Sequence, residues 1–183
     1  MKVDTQKLIK NNEYCLKVFK HYVKVKALRK SGLALYEKHL NKALRNLEFA
    51  NFILAEHDYS IKEKLPKRTF YDWCITIYYY AIYHAALALV EKIGYESKNH
   101  LATITAITLF YYHHENILKR EDVEFIIEKI SLDQKDITLV TDSKELRERA
   151  CYGADEVFEA AQAKKLGAGT ADFVNKIRAL LKS

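Results

Sequence analysis

One proline and five glycines are all that 183 residues contain of the two strongest turn formers. A sandwich or barrel of short strands needs many tight turns, so this scarcity excludes it and leaves long helices joined by few corners. Cysteine is also scarce. Cys15, Cys74 and Cys151 are scattered and odd in number, with no CxxC or Cys/His spacing. Neither a disulfide framework nor a zinc site is expected, and a reducing, cytoplasmic setting is. There is no GxGxxG, GxxxxGK[ST], GxSxG or HExxH. Those absences exclude the common phosphate-cradling loops and metallopeptidase helices, so no cofactor and no metal is expected. The opening MKVDTQKLIKNNEY lacks the apolar run of a signal peptide.

Charge is present but unevenly spread. The net charge is +6, yet residues 1–30 alone hold nine Lys/Arg against two acids. The remainder is therefore close to neutral. A basic end on a near-neutral body points to an anionic partner, nucleic acid or acidic protein, or else to a simply solvated lysine-rich helix. Half of the residues are hydrophobic and 12% are aromatic, enough for a packed core.

Apolar residues recur at helical spacing along most of the chain. Thr5 to Arg29 reads as one helix, with Leu8, Cys15, Val18, Tyr22 and Val25 on its apolar side and Ser31-Gly32 as the break. Leu33 to Glu56 is a second helix, and the polar stretch 57–67, with the only proline, reads as a loop. Trp73 to Val90 contains no Asp, Glu, Lys or Arg. Eighteen such residues are long enough to span a membrane. Four tyrosines and His84 within the run favour a central core helix capped by Gly94, and no membrane partner is expected. Asn99 to Leu118 and Glu121 to Ile130 are further helices, and Ile137 to Val140 has strand propensity without an evident partner. Ser143 to Cys151, Ala154 to Leu166 and Ala171 to Leu181 complete the series, with Gly167-Ala168-Gly169 as a kink or break. The expected fold is all-α: an up-and-down bundle of four to five helices (33–183) preceded by a basic N-terminal helical extension (1–32).

Two stretches carry chemistry. His84 shares a helix face with Trp73, Ile77 and Tyr80 at i, i+4, i+7 and i+11 spacing, which suits an interface or a core histidine. His100 stands near the start of the next helix, and the adjacent His113 and His114 diverge by about 100° on a helix, which does not suit one metal ion. Downstream, "RERACYGAD" sets Arg147 and Arg149 before Tyr152 and a glycine. Arginine grips phosphate oxygens with a planar fork. The plain alternative is ion pairing with Glu145 or Asp155.

"YYYAIYHAALALVEKIGYESKNHLATI" (Tyr78 to Ile104), followed by "ELRERACYGADEVFEAA", resembles the HEPN superfamily, in particular its small prokaryotic members. The resemblance covers roughly Leu33 to Leu181. It implies a helical homodimer and metal-free RNA cleavage, or descent from it. It also implies a minimal nucleotidyltransferase as partner, in a toxin–antitoxin-type pair. The family's active motif is Arg, four to six residues, then His, with two motifs facing each other across the dimer. Metal-free cleavage needs a base for the 2′-hydroxyl proton and a cation for the charge building on phosphorus. Here Tyr152 stands where that motif has histidine, and no histidine follows His114. A tyrosine with a pKa of about 10 is a poor base at neutral pH. The expectation is a cleft in which Arg147, Arg149 and Tyr152 bind RNA or nucleotide, with catalysis by Arg147 and Tyr152, helped by His84, as the alternative. A purely protein-binding adaptor is the third reading.

Overall fold

The computed structural model describes residues 2–31, 35–130 and 158–182. Among the described residues the fold is all-α apart from one pair of short strands. In order, the elements are α1 (Thr5–Lys10), α2 (Asn12–Lys24), β1 (Leu28–Lys30), α3 (Tyr36–Glu56), α4 (Lys62–Lys64), α5 (Tyr71–Lys92), β2 (Tyr95–Ser97), α6 (His100–Ile107), α7 (Arg120–Ile130) and α8 (Ala160–Lys182). Two π-helical segments, His57–Ile61 and Thr108–His114, extend α3 and α6. Two compact units divide the chain: Met1–His39 with Ala86–Ile137, and Leu40–Ala85 with Thr138–Ser183. The boundaries between them fall inside α3 and α5.

In the first unit, the helix expected over Thr5 to Arg29 is interrupted twice. Asn11 closes α1 through its backbone N–H to Lys7 O, while its side chain accepts from Tyr14 N at 2.9 Å and starts α2. Short amide side chains compete for backbone donors in this way, which is why asparagine ends one helix and caps the next. α2 then stops at Lys24. Lys26 takes the left-handed conformation (φ 60), Ala27 N donates to Tyr22 O, and Lys26 N donates to Val23 O. This is a Schellman turn with lysine at the position that glycine usually occupies. The chain reverses into β1, which pairs antiparallel with β2 in the register Leu28↔Ser97, Arg29↔Glu96, Lys30↔Tyr95.

The leading segment expected as an extension contributes core side chains to this unit. Leu8, Ile9, Cys15, Val18 and Phe19 are buried, as are Ile104, Ile107, Ile126 and Ile130. Phe19 meets Tyr95 and Phe110 edge-on at 5.3 and 5.4 Å. Every residue of α6 after His100 is buried, including two threonines. Burying a hydroxyl is tolerable only with a partner. Thr105 Oγ1 donates to Leu101 O and Thr103 Oγ1 to Ser97 Oγ, so both are satisfied.

In the second unit, α3, α5 and α8 bury residues three and four apart: Leu40, Ala43, Leu47 and Ala50; Tyr71, Cys74, Ile75, Tyr78, Ile82 and Ala85; Ala163, Gly167, Thr170, Val174, Ile177 and Leu181. That is the spacing of helices packed side by side. α8 runs unbroken through Gly167-Ala168-Gly169, where a kink was expected. The reason lies in packing. An added Cβ at Gly167 would stand 2.7 Å from Tyr78 Oη, so glycine is there for close approach and not to bend the helix. The polar segment after Glu56 likewise differs from the expected loop, because His57–Ile61 and Lys62–Lys64 carry the helix onward.

α5 is the one described helix long and apolar enough to cross a membrane, and most of that span is buried inside the protein. Gly94 (φ +80) ends it as expected, with its N–H donating to Glu91 O. Nothing lies within 4 Å of a Cβ there, so conformation alone demands the glycine.

Burial pushes the Cys15 thiol up to about 12 and that of Cys74 up to about 11. It pushes the Tyr22 and Tyr78 hydroxyls up to about 12, and raises that of Tyr111 further. The folded chain therefore holds these protons more tightly than the unfolded chain does. Their contribution to stability is complete below the unfolded values and is lost as pH rises through the folded ones. The melting temperature is expected to fall steeply between roughly pH 9 and 12. Tyrosinate absorbance from the buried rings should appear only as the fold is lost. A melting temperature flat across that window would contradict this.

Candidate functional site

The outer face of α5 is built by the four residues that the helical spacing groups together. Trp73 is 59% exposed and Tyr80 46%, while Ile77 and His84 are half-buried between and beyond them. The opposite face of the same helix (Cys74, Ile75, Tyr78, Ile82 and Ala85) fills the core. An aromatic series continues along the helix: Tyr79 meets Tyr80 at 5.2 Å and stacks on Tyr83 at 6.2 Å, and Tyr83 meets the His84 ring at 6.1 Å. His84 thus ends an aromatic strip that carries no charge.

The strip is not an isolated exposed patch. Among the described residues, the exposed large aromatics all fall in the second unit: Phe49, Phe52, Tyr59, Trp73 and Tyr80. Among its described large apolar residues, the first unit exposes only the aliphatics Leu16, Val23, Val25 and Ile117.

Inside the second unit lies a polar pair that the sequence did not disclose. His57, 6% exposed, stacks on Tyr71 with ring centroids 4.0 Å apart, and its Nδ1 is 2.9 Å from Tyr71 Oη. Burial, followed by the charge of Asp58, raises the Tyr71 hydroxyl above its ordinary value, so it stays protonated and can donate to Nδ1. The ring's other nitrogen, Nε2, is buried and has no partner. His57 begins the π-helical turn, and the pair ties that turn to α5. Deeper in the same unit, Tyr78 Oη donates to Asn51 Oδ1 at 2.7 Å over Gly167. The rings of His57, Tyr71 and Tyr78 are enclosed, so their work is to hold α3, α5 and α8 together. The only hint of the pair in the sequence was a histidine in a segment that reads as a polar loop.

Arg147, Arg149 and Tyr152 lie outside the described residues, as do Ile137 to Val140. His100 is the first residue of α6, whose cap is Asn99: its side chain accepts from Ala102 N at 3.0 Å. His113 Nε2 donates to Leu8 O at 2.7 Å, and the His114 ring meets Phe110 edge-on, so the adjacent histidines do separate work. Among the described residues, no three His, Cys, Asp or Glu side chains gather as a metal-ion site. No protein-family profile matches the chain, and no curated protein matches it.

Proposed function

We propose that the protein is a HEPN-like helical homodimer that binds RNA or nucleotide in the cytoplasm and does not cut it efficiently. Its partner in this reading is a minimal nucleotidyltransferase, in a toxin–antitoxin-type pair. The observation that carries the proposal is the order of two motifs in one all-α chain: Tyr78 to Ile104, then Arg147-Glu148-Arg149 with Tyr152 five residues after Arg147. Two supports come from the fold. The YYYAIYHAA motif lies on a long helix whose other face is core, and the strip ending in His84 leaves Trp73 and Tyr80 exposed for a second copy.

Arg147 is assigned to a phosphate oxygen. Arg149, two residues on, diverges from it if the segment is helical and is assigned to a neighbouring acid. Tyr152 can donate a hydrogen bond to phosphate but holds its own proton at neutral pH. The missing step is removal of the 2′-hydroxyl proton. His84 takes that step only if it reaches the same cleft, and that is the nuclease reading.

Incubation of the purified chain with a structured RNA pool in EDTA separates the two. The expected result is RNA bound and intact, with cleavage appearing when Tyr152→His restores a base of suitable pKa. Metal-independent cleavage by the native chain, lost in Arg147→Ala, would instead make it an endoribonuclease.

A further inference from the structure

We infer that the lysine face of α2, continued by the turn and strand that follow it, is a separate docking surface for the sugar-phosphate backbone of nucleic acid. The inference is independent of the role proposed for Arg147.

The face is built by helical phase. Successive residues turn by about 100°, so Lys17, Lys20 and Lys24 fall within about 60° of one another over roughly 10 Å of helix. The buried residues Cys15, Val18, Phe19 and Tyr22 fix the opposite side against the core. Beyond Lys24 the chain reverses, and four more cations follow. Arg29 Nε donates to Lys26 O at 3.2 Å. Lys98 N donates to Ala27 O, beside that turn. Lys30 follows Arg29 on β1. All seven cations are exposed. None of Lys17, Lys20, Lys24, Lys26 and Lys30 is in an ion pair with a described acid. Two acids are close in sequence or pairing: Glu13, one turn before Lys17, and Glu96, opposite Arg29 in the strand pair.

Helix polarity accounts for part of this. Cations near a C-terminus are favoured by the helix dipole, but that effect fades within the last turn. It reaches Lys24 and not Lys17, nor Lys30 on the strand. Lys26 is a second, independent observation. A side chain in the left-handed region is strained relative to glycine. Strain at an exposed position points to a use for the side chain held there, here its charge.

The same phase argument selects the partner. Leu16 and Val23, the exposed aliphatics of α2, lie about 70–95° round from the centre of the lysine face, at its border with the core. A membrane would require apolar groups at the summit of the face, and the summit is lysine. Among its described residues the first unit also exposes no large aromatic side chain on which a base could stack. What remains is backbone binding without sequence preference.

Deleting residues 1–30 would remove core side chains, so point variants provide the test. Binding of a uridine homopolymer is measured from about 50 to 200 mM salt. The triple variant Lys17→Gln, Lys20→Gln, Lys24→Gln, with an unchanged melting curve, should flatten the log–log salt slope by about 2, at about 0.7 per lost phosphate contact. Lys26→Gly should hold or raise the melting temperature while flattening the slope by about 0.7. Stability and affinity moving in opposite directions would not follow from a merely structural lysine. Unchanged slopes in both variants overturn the inference. So does a triple variant that binds the polymer normally but no longer sediments with phosphatidylserine vesicles. Arg147→Ala is the control arm: if it alone abolishes binding and the triple variant keeps the native slope, this surface fails and the cleft stands. The converse result retains this surface and removes the cleft.

Discussion

In the proposed dimer, Trp73→Glu is expected to leave a folded monomer of 21.3 kDa, with the native chain expected at twice that mass. Trp73 is 59% exposed in the single chain and Tyr80 46%, on a helix with no charge from Trp73 to Val90. A paired helix face of this kind is self-complementary, so in a two-fold dimer each substitution is made twice. Buried tryptophans at interfaces are commonly worth about 2 kcal/mol or more when truncated. Two copies give about 4 kcal/mol, close to a thousandfold in the dimer dissociation constant. A buried carboxylate in place of the indole adds its desolvation penalty to that loss. The monomer should keep its helical circular dichroism, because the substituted side chain lies outside the core. Light scattering at micromolar concentration decides: a native chain already at 21.3 kDa, unchanged on tenfold concentration, removes the dimer.

Gly167→Ala should lower stability by about 2 kcal/mol, against the helix-propensity gain of about 1 kcal/mol that alanine normally brings. The new Cβ would stand 2.7 Å from Tyr78 Oη and 2.8 Å from its Cζ. That hydroxyl cannot simply swing away. The Tyr78 ring is fully buried, and its Oη is held by Asn51 Oδ1 at 2.7 Å. Adjustment must therefore move α8 or break that hydrogen bond. A Gly167→Ala melting temperature equal to or above the native value would show that Gly167 is free of the contact.

The helical character, the mostly buried place of Trp73 to Val90 and the Gly94 cap were legible in the sequence, because each rests on local pattern: period, absence of charge, and a positive-φ glycine. What the sequence hid depended on partners distant along the chain. Leu28 to Lys30 reads as the end of a helix until β2, some 65 residues later, offers a pairing edge. Gly167 reads as a kink because Tyr78 is not visible from α8. His57 reads as a loop residue because the π-helical turn and its stack on Tyr71 are set by packing, not by composition. Of the site, the α5 strip follows from spacing alone. The arginine–tyrosine motif outside the described residues rests on resemblance and on the chemistry of its side chains.

The most direct measurement is the RNA affinity of Arg147→Ala beside that of the native chain, at one fixed salt concentration and in EDTA. A guanidinium forked on a phosphate oxygen makes charged hydrogen bonds worth about 1.5–3 kcal/mol, so the account predicts a loss of about tenfold to a hundredfold with an unchanged melting temperature. Equal affinities for the two proteins would contradict it and return Arg147 to an ion pair on the surface.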